Sequence, residues 1–345
     1  MHPDPEVATL LADQWLGGAD ARATQDEASV SAARELVRAE GARIGLPAAP
    51  IARLVNVASE LAHNQLAHAR GGQIAVRPVV SAGVQGLEVV AADRGDGISD
   101  PARALAGRPS RPGSLGVGLA AVCELADEVD FDIRLGEGTC VFARVFAHTS
   151  TRGLEVGILG RPCSGERISG DDAAVVREGR RLLVGVADGL GHGPLAREAS
   201  AGAARVLRES PGAAPDAVLG ACHRALAQTR GAVMTVCAIE ETTRDMTIAS
   251  VGNVSAHVYG LGPSSRFDGS SFVLGDAGRG PRKIATERRL LGRLDVLVLF
   301  TDGVSSRTNL EGDRDLLRQH PILIAQQVLE RFGGSHDDAL VLVVR

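Results

Sequence analysis

Lysine is nearly absent: Lys283 is the only one in 345 residues, so arginine supplies almost all of the positive charge. A Walker A loop needs Gly-Lys-Ser/Thr, whereas Lys283 follows Arg282 and precedes Ile284. That site is excluded. A protein kinase of the usual kind needs a strand lysine, and Lys283 lies in the polar segment Gly278-Arg-Gly-Pro-Arg-Lys. Aromatic residues are 3% of the chain, with one Trp and one Tyr, and the formal charge is −5. With no basic stripe interleaved with aromatics, nucleic acid is excluded as a partner. The 5 cysteines (Cys123, Cys140, Cys163, Cys222, Cys237) are odd in number and widely spaced. They form no C-x-x-C pair, and none has an arginine six residues on, so zinc, redox-pair and cysteine-phosphatase chemistry are set aside. No apolar run approaches the roughly 20 residues of a spanning helix, and Asp4, Glu6 and Asp13 are wrong for a secretory signal. A cytoplasmic protein that does not enter the membrane is expected. Any phosphate chemistry must use carboxylates, glycines and metal.

Hydrophobic residues at 44% and charged residues at 23% describe an ordinary globular protein, and the length suits two domains. The chain changes character near His148, predicting an N-terminal extension over 1–22 that carries Trp15, a first domain over 23–148 and a second over 149–345. Thr24-Gln-Asp-Glu27 reads as a capping box before a helix to Ala42, and a second helix is expected from about Ile51 to His68. Strands follow at Gln73–Val80 and Leu87–Ala92, then a loop Arg103–Ser114, a short helix Leu119–Asp127 and a hairpin, Val129–Leu135 with Thr139–Phe146. In the second half, β-type runs appear at Glu155–Leu159, Arg181–Ala187, Val233–Ile239, Thr247–Val251, Ala256–Tyr259, Val296–Phe300 and Ala339–Val344. Helices are expected at Leu195–Arg208, Asp216–Gln228 and Ile322–Phe332. The class is α+β.

On the second helix Glu60, Asn64 and His68 are spaced by four and share one stripe. Asp93-Arg-Gly95-Asp-Gly97 ends a strand, where glycines let backbone approach a ligand. Gly113-Ser-Leu-Gly116-Val-Gly118 precedes a helix, where free N–H groups suit phosphate, and Gly136-Glu-Gly138-Thr139 turns a hairpin. In this order the motifs resemble the ATP-binding boxes of the GHKL ATPase/kinase superfamily over about Asp26–Phe146. The likeness is greatest to the small RsbT-type switch kinases, including the stretch Ala32-Ala-Arg-Glu. The resemblance implies an α/β sandwich with a helical layer on a mixed sheet. It makes Asn64 the Mg²⁺ ligand and Asp93 the acceptor of the adenine amino group, with Gly95, Gly97 and Thr139 in the ATP boxes. Gly116 and Gly118 would cradle phosphate and Glu60 would act as base toward the attacking hydroxyl. A histidine kinase is the sister reading, but it needs a phosphoacceptor hairpin ahead of the boxes. His63 and His68 are expected to be structural or close to ATP, and Arg103, Arg108 and Arg111 lie in the loop that is a lid in that family.

In the second half, Val184-Gly-Val-Ala-Asp188-Gly189-Leu-Gly191-His192-Gly193 is an apolar strand delivering a carboxylate to a glycine-rich turn, and Val296–Asp302-Gly303 repeats the arrangement. His336-Asp337-Asp338 and Ser169-Gly170-Asp171-Asp172 each precede an apolar strand. Carboxylates at several strand ends select hard divalent cations. The pattern resembles the PPM-type metal-dependent serine/threonine phosphatases, in the SpoIIE/RsbX-like branch, over about Glu155–Arg345. It implies a β-sandwich flanked by helices that holds two Mn²⁺ or Mg²⁺ ions. Asp188 would bridge them, Gly189 would offer its carbonyl, and Asp302 and Asp337 would complete the cluster. Asp171 is the best match to an upstream acid, with Asp172 its rival; His192 is either a proton donor or a cap of the turn.

Together the resemblances imply a kinase half and a phosphatase half acting on a STAS-type antagonist or scaffold protein in bacterial stress signalling. A sigma-regulating phosphatase or an anti-sigma partner is the further candidate. One alternative is a phosphatase with an ATP-sensing domain; another is a partner-binding module without phosphotransfer.

Overall fold

The computed structural model describes residues 16, 21–81, 83–107, 118–148, 153–276 and 283–345. Trp15, Arg108, Arg111 and Gly116, with most of the expected N-terminal extension, lie outside the described residues. The chain divides into two compact units, Met1–Glu155 and Val156–Arg345.

The first unit begins with strand β1 (Ala21–Thr24), followed by helices α1 (Glu27–Arg43) and α2 (Ala48–Asn64). The cap of α1 is not at Thr24 but at Asp26, whose side chain accepts from Ser29 N while Ser29 Oγ accepts from Asp26 N. Thr24 is unavailable as a cap because it is buried at the end of β1, paired with Gly72. Helix α2 begins before the expected Ile51 and gives way after Asn64 to a π-helical turn, Gln65–Ala69, closed by Arg70 at φ 59. A π turn is wider than an α turn, so the four-residue stripe breaks after Asn64 and His68 is left exposed.

Strands β2 (Gly72–Ser81) and β3 (Val84–Asp93) come next, then short helices α3 (Pro101–Leu105) and α4 (Gly118–Leu125). Strands β4 (Glu128–Arg134) and β5 (Gly138–Phe146) complete a sheet ordered β1-β2-β3-β5-β4 with every pair antiparallel. Leu54, Ala58 and Leu61 of α2 are buried, as are Ile74, Leu87, Val89 and Ile133 of the sheet. Each of these leucine, isoleucine and valine side chains contributes about 1.5–3 kcal/mol by leaving water. The other strand faces carry a cluster of Leu16, Ala75, Val90, Ala92 and Cys140. On these strands Arg144 is buried with Glu88 and Asp130, each at 2.7 Å.

The second unit contains strands β6 (Val156–Arg161), β7 (Asp171–Glu178) and β8 (Arg181–Gly189), then helices α5 (Pro194–Arg208) and α6 (Pro215–Ala225). Strands β9 (Ala232–Glu240), β10 (Asp245–Val251), β11 (Ser255–Tyr259), β12 (Ser265–Phe267), β13 (Thr286–Leu290) and β14 (Val296–Phe300) follow. Helices α7 (Arg314–Leu317) and α8 (Pro321–Phe332) precede the last strand, β15 (Ala339–Val344). One sheet runs β6-β15-β14-β11-β12 and the other β13-β10-β9-β8-β7. Ala199, Ala203 and Leu207 of α5, with Val218 and Cys222 of α6, bury Leu183, Met234 and Val236 of the second sheet. Helix α8 crosses β6 at Gly157, where a Cβ would stand 2.3 Å from Ile322 N. The result is a β-sandwich with helices outside. Among the described residues no helix is long and apolar enough to cross a membrane.

Candidate active sites

In the first unit the end of α2 meets the start of α4. A Cβ on Gly118 would stand 2.8 Å from Asn64 Oδ1, so only glycine lets the two elements approach this closely. Asn64 Nδ2 is buried and, among the described residues, has no hydrogen-bond partner. Glu60, half-buried, lies one turn earlier on α2. Its neighbour Ser59 accepts two hydrogen bonds from Arg34, at 3.1 and 2.6 Å, which tie α1 to this part of α2. His63 contacts Glu27 at 3.3 Å.

Asp93 closes β3, and its Oδ1 accepts from Gly95 N at 2.8 Å. Burial pushes its carboxyl up to about 6 despite backbone donors at Gly95 and Thr139. Thr139 stands opposite Asp93 in the β3–β5 register. A Cβ on Gly138 would lie 2.2 Å from Asp93 O, and Gly97, at φ 74, comes within 2.8 Å of Arg134 O by the same measure. The structure thus brings Asp93, Gly95, Gly97, Gly138 and Thr139 into one corner and Asn64 and Gly118 into another contact.

In the second unit, Asp171 and Asp172 open β7 itself rather than preceding a strand. Asp171 stands opposite Asp188 in the antiparallel β7–β8 register. Successive strand residues face opposite ways, so Asp172 points away from Asp188; its Oδ1 accepts from Ala173 N at 2.8 Å. Thr301 Oγ1 donates to Asp171 Oδ2 at 2.7 Å, which brings the end of β14, and Asp302 after it, to the same place. Asn253 Nδ2 donates to Asp302 Oδ2 at 2.9 Å. Asp338 is buried and accepts from Cys163 N and Gly170 N, both at 2.7 Å, while its neighbour Asp337 is exposed. Glycine is required at 189 and 303: a Cβ would stand 1.9 Å from Ala196 O and from Asp338 O respectively.

The carboxylates disturb one another. Burial, then Asp302, Asp337 and Asp338, push Asp188 up to about 8. Burial and Asp188 hold Asp171 well above the usual range, against the Thr301 hydrogen bond. Asp302 is raised by partial burial of its carboxyl and by Asp337. Among the described residues no three His, Cys, Asp or Glu side chains converge into a ready cage for an ion. The donor set is nonetheless all oxygen, and hard divalent ions keep several waters, so the carboxylates fit such an ion with water completing its shell. His192 is exposed, its Nδ1 2.8 Å from Glu166 Oε1. Sequence reasoning missed Thr301, Asn253, Ser59 and Glu166. Thr301 and Ser59 adjoin recognised acids, whereas no pattern marks Asn253 or Glu166.

Comparison with known proteins agrees half by half. Residues 23–145 match the histidine kinase-like ATPase domain, and residues 178–345 match stage II sporulation protein E (SpoIIE). The serine/threonine-protein kinase RsbT of Bacillus subtilis (strain 168) is 37% identical over 113 residues, which are 33% of this chain and 85% of that protein. The chain belongs to the RsbT-like kinase family, fused to a SpoIIE-type phosphatase domain. The phosphoserine phosphatase RsbX of the same organism is 29% identical to it over 145 residues, 41% of this chain and 70% of that one. Among solved structures, a chain from work on the bacterial stressosome, a modular system adapted to control secondary messenger signalling, matches at 28% identity and TM-score 0.51. It covers 56% of this chain and 99% of its own. The SpoIIE-type domain is of the PPM serine/threonine phosphatase kind. Such phosphatases and GHKL kinases in general use divalent metals and ATP.

Proposed function

We propose that this chain is a partner-switch enzyme whose RsbT-like half transfers phosphate from ATP to a Ser or Thr of a STAS-type antagonist or scaffold protein, and whose SpoIIE-type half removes it. The observation that carries the reading is the pair Asp171 and Asp188, facing each other across β7 and β8 with Asp302 anchored nearby. Buried carboxylates that suppress one another's ionisation are a site for positive charge. Asp171, Asp188, Asp302, Asp337 and the Gly189 carbonyl would hold two Mn²⁺ or Mg²⁺ ions. Such ions, when bound, supply hydroxide at neutral pH and neutralise charge on a phosphoryl group. Thr301 and Asn253 each occupy one carboxylate oxygen and so orient Asp171 and Asp302.

In the first half, Asn64 would hold the Mg²⁺ that accompanies ATP through its Oδ1, beside which Gly118 places no side chain. Asp93 would accept from the adenine amino group, and N–H groups at the start of α4, with that of Gly116, would meet phosphate. Glu60 would take the proton of the attacking hydroxyl. Arg34, through Ser59, steadies the turn that carries Glu60.

The test uses the full chain, labelled ATP, Mg²⁺, Mn²⁺ and a STAS protein of the same cell. Phosphorylated STAS protein should accumulate with Asp188→Asn and disappear when wild type is added after ATP is removed. Glu60→Gln should dephosphorylate but not phosphorylate. If Asp188→Asn binds ATP yet transfers nothing, the first half is an ATP sensor; if it only holds the STAS protein, it is a binding module.

A further inference from the structure

The loop that follows Asp188 is laced to the turn before β9. Leu190 N donates to Gly231 O at 3.0 Å. That turn is itself braced, since Thr229 Oγ1 donates to Leu226 O at 2.8 Å and accepts from Gly231 N at 3.0 Å. Between Thr229 and Gly231 stands Arg230, and its guanidinium lies over the loop. Arg230 Nη1 is 3.1 Å from the point where a Cβ of Gly191 would sit. Gly191, at φ 89, has both the backbone freedom and the missing side chain that let the guanidinium rest there. Gly191 lies three positions after Asp188, and its carbonyl oxygen is 3.4 Å from the point where a Cβ of Gly170, the residue before Asp171, would sit.

Three other cationic side chains of this unit are engaged. Arg197 is buried and donates to Ser169 O and Asp171 O, each at 3.2 Å. Arg161 donates to Pro162 O at 3.3 Å and Asp337 O at 3.4 Å. His192 has its Nδ1 against Glu166. Arg230 is exposed and, among the described residues, makes no hydrogen bond or ion pair. A braced turn therefore holds a planar, permanently charged fork, without a partner among the described residues, over the loop that follows Asp188. The ligand such a fork matches is a phosphoryl group, whose oxygens accept two parallel N–H donors.

We infer that Arg230 binds the phosphate of the phosphoserine or phosphothreonine substrate through its non-bridging oxygens. The inference rests on the phosphatase reading above. Arg230 supplies affinity and orientation, and no proton or bond is moved by it. Charge-assisted hydrogen bonds of this kind set the expected size of the effect.

The experiment measures Mn²⁺-dependent hydrolysis of p-nitrophenyl phosphate and of a phosphoserine peptide by the full chain, with inorganic phosphate as competitive inhibitor. Arg230→Ala should raise KM for both substrates, and Ki for phosphate, by about tenfold to a hundredfold, with kcat changed by less than about threefold. Arg230→Lys should recover part of the loss, because it restores the charge without the fork. Arg224→Ala, which removes an exposed arginine from α6, should change neither constant. Unchanged KM and Ki in an active Arg230→Ala overturn the assignment, as does a fall in kcat with Ki unmoved. A wild-type chain that hydrolyses neither substrate overturns the phosphatase reading itself, and this assignment with it.

Discussion

Asp171 stands directly opposite Asp188 across the β7–β8 pair, and Thr301 holds it there through a 2.7 Å hydrogen bond. Two carboxylates in register on adjacent strands repel unless one is protonated or a cation lies with them. The fold tolerates the pair at the expense of its own stability, as expected of residues kept for chemistry.

Removing one member should therefore abolish turnover while relieving the fold. Asp188→Asn is expected to lower Mn²⁺-dependent phosphatase activity by about a hundredfold or more. Asp188 is raised to about 8 from an ordinary value near 4, so its stabilising share is complete below about pH 4 and is lost as pH rises through about 8. Chelated wild type should lose Tm between pH 5 and 8.5, Mn²⁺ should restore it, and Asp188→Asn should flatten the profile. Thermal unfolding with and without chelator measures this; parallel profiles for the two proteins would refute it.

Gly118→Ala tests the contact between α2 and α4. The new methyl would fall 2.8 Å from Asn64 Oδ1, forcing the amide aside. Calorimetry should show ATP affinity in Mg²⁺ reduced by about tenfold or more, as for Asn64→Ala. Far-ultraviolet circular dichroism should be unchanged.

ATP binding should also weaken in mild acid. Asp93 is ionised above about pH 6 and accepts a hydrogen bond best in that form. Affinity should fall by up to about tenfold per pH unit below 6, and Asp93→Asn should bind weakly with that slope removed. A titration from pH 7.5 to 5 that shows equal slopes for both proteins contradicts the role.

His257 predicts an acid limit for the second unit. Tyr259 donates its hydroxyl proton to Thr308 O at 3.1 Å and so accepts from His257 Nδ1 at 2.8 Å, which keeps a proton on Nδ1. Burial lowers His257 to about 4 from near 6.5. Its contribution is present above about pH 6.5 and is lost as pH falls toward 4. His257→Gln should keep its Tm further into acid than wild type does, read by differential scanning calorimetry; equal acid limbs would exclude the histidine as the cause.

Local order was legible wherever a strand or helix carries its own period. Val296–Phe300 and Ala339–Val344 are strands over the bounds expected, and Leu195–Arg208 needed only Pro194 added at its start. The strands without a signal, β1, β12 and β13, are short edge strands; β13 is Thr-Glu-Arg-Arg-Leu and mostly exposed, with no apolar face to reveal it. The cap of α1 was misplaced because pairing of Thr24 with Gly72 is not a local property. The π turn after Asn64 likewise follows from the packing of Gln65, whose Nε2 donates to Gln73 O and Ala92 O.

The sequence alone determined the chemistry available to this protein: a near absence of lysine, glycines before helices, and aspartates at strand ends leave carboxylate and metal chemistry for phosphate. It determined two domains and their families, because those motifs recur in order over domain-sized lengths. Only the tertiary structure decided which residues share a site. Asp171 rather than Asp172 faces Asp188 because strand pairing and a period of two set the register, and Asp338 binds backbone N–H groups because its loop is buried beside Gly170. Thr301 and Asn253 come to the carboxylates from distant points of the chain, carried by sheet order, and a braced turn brings Arg230 over the loop after Asp188. Sequence distance holds no trace of such contacts, since burial and hydrogen bonding across the fold bring them about.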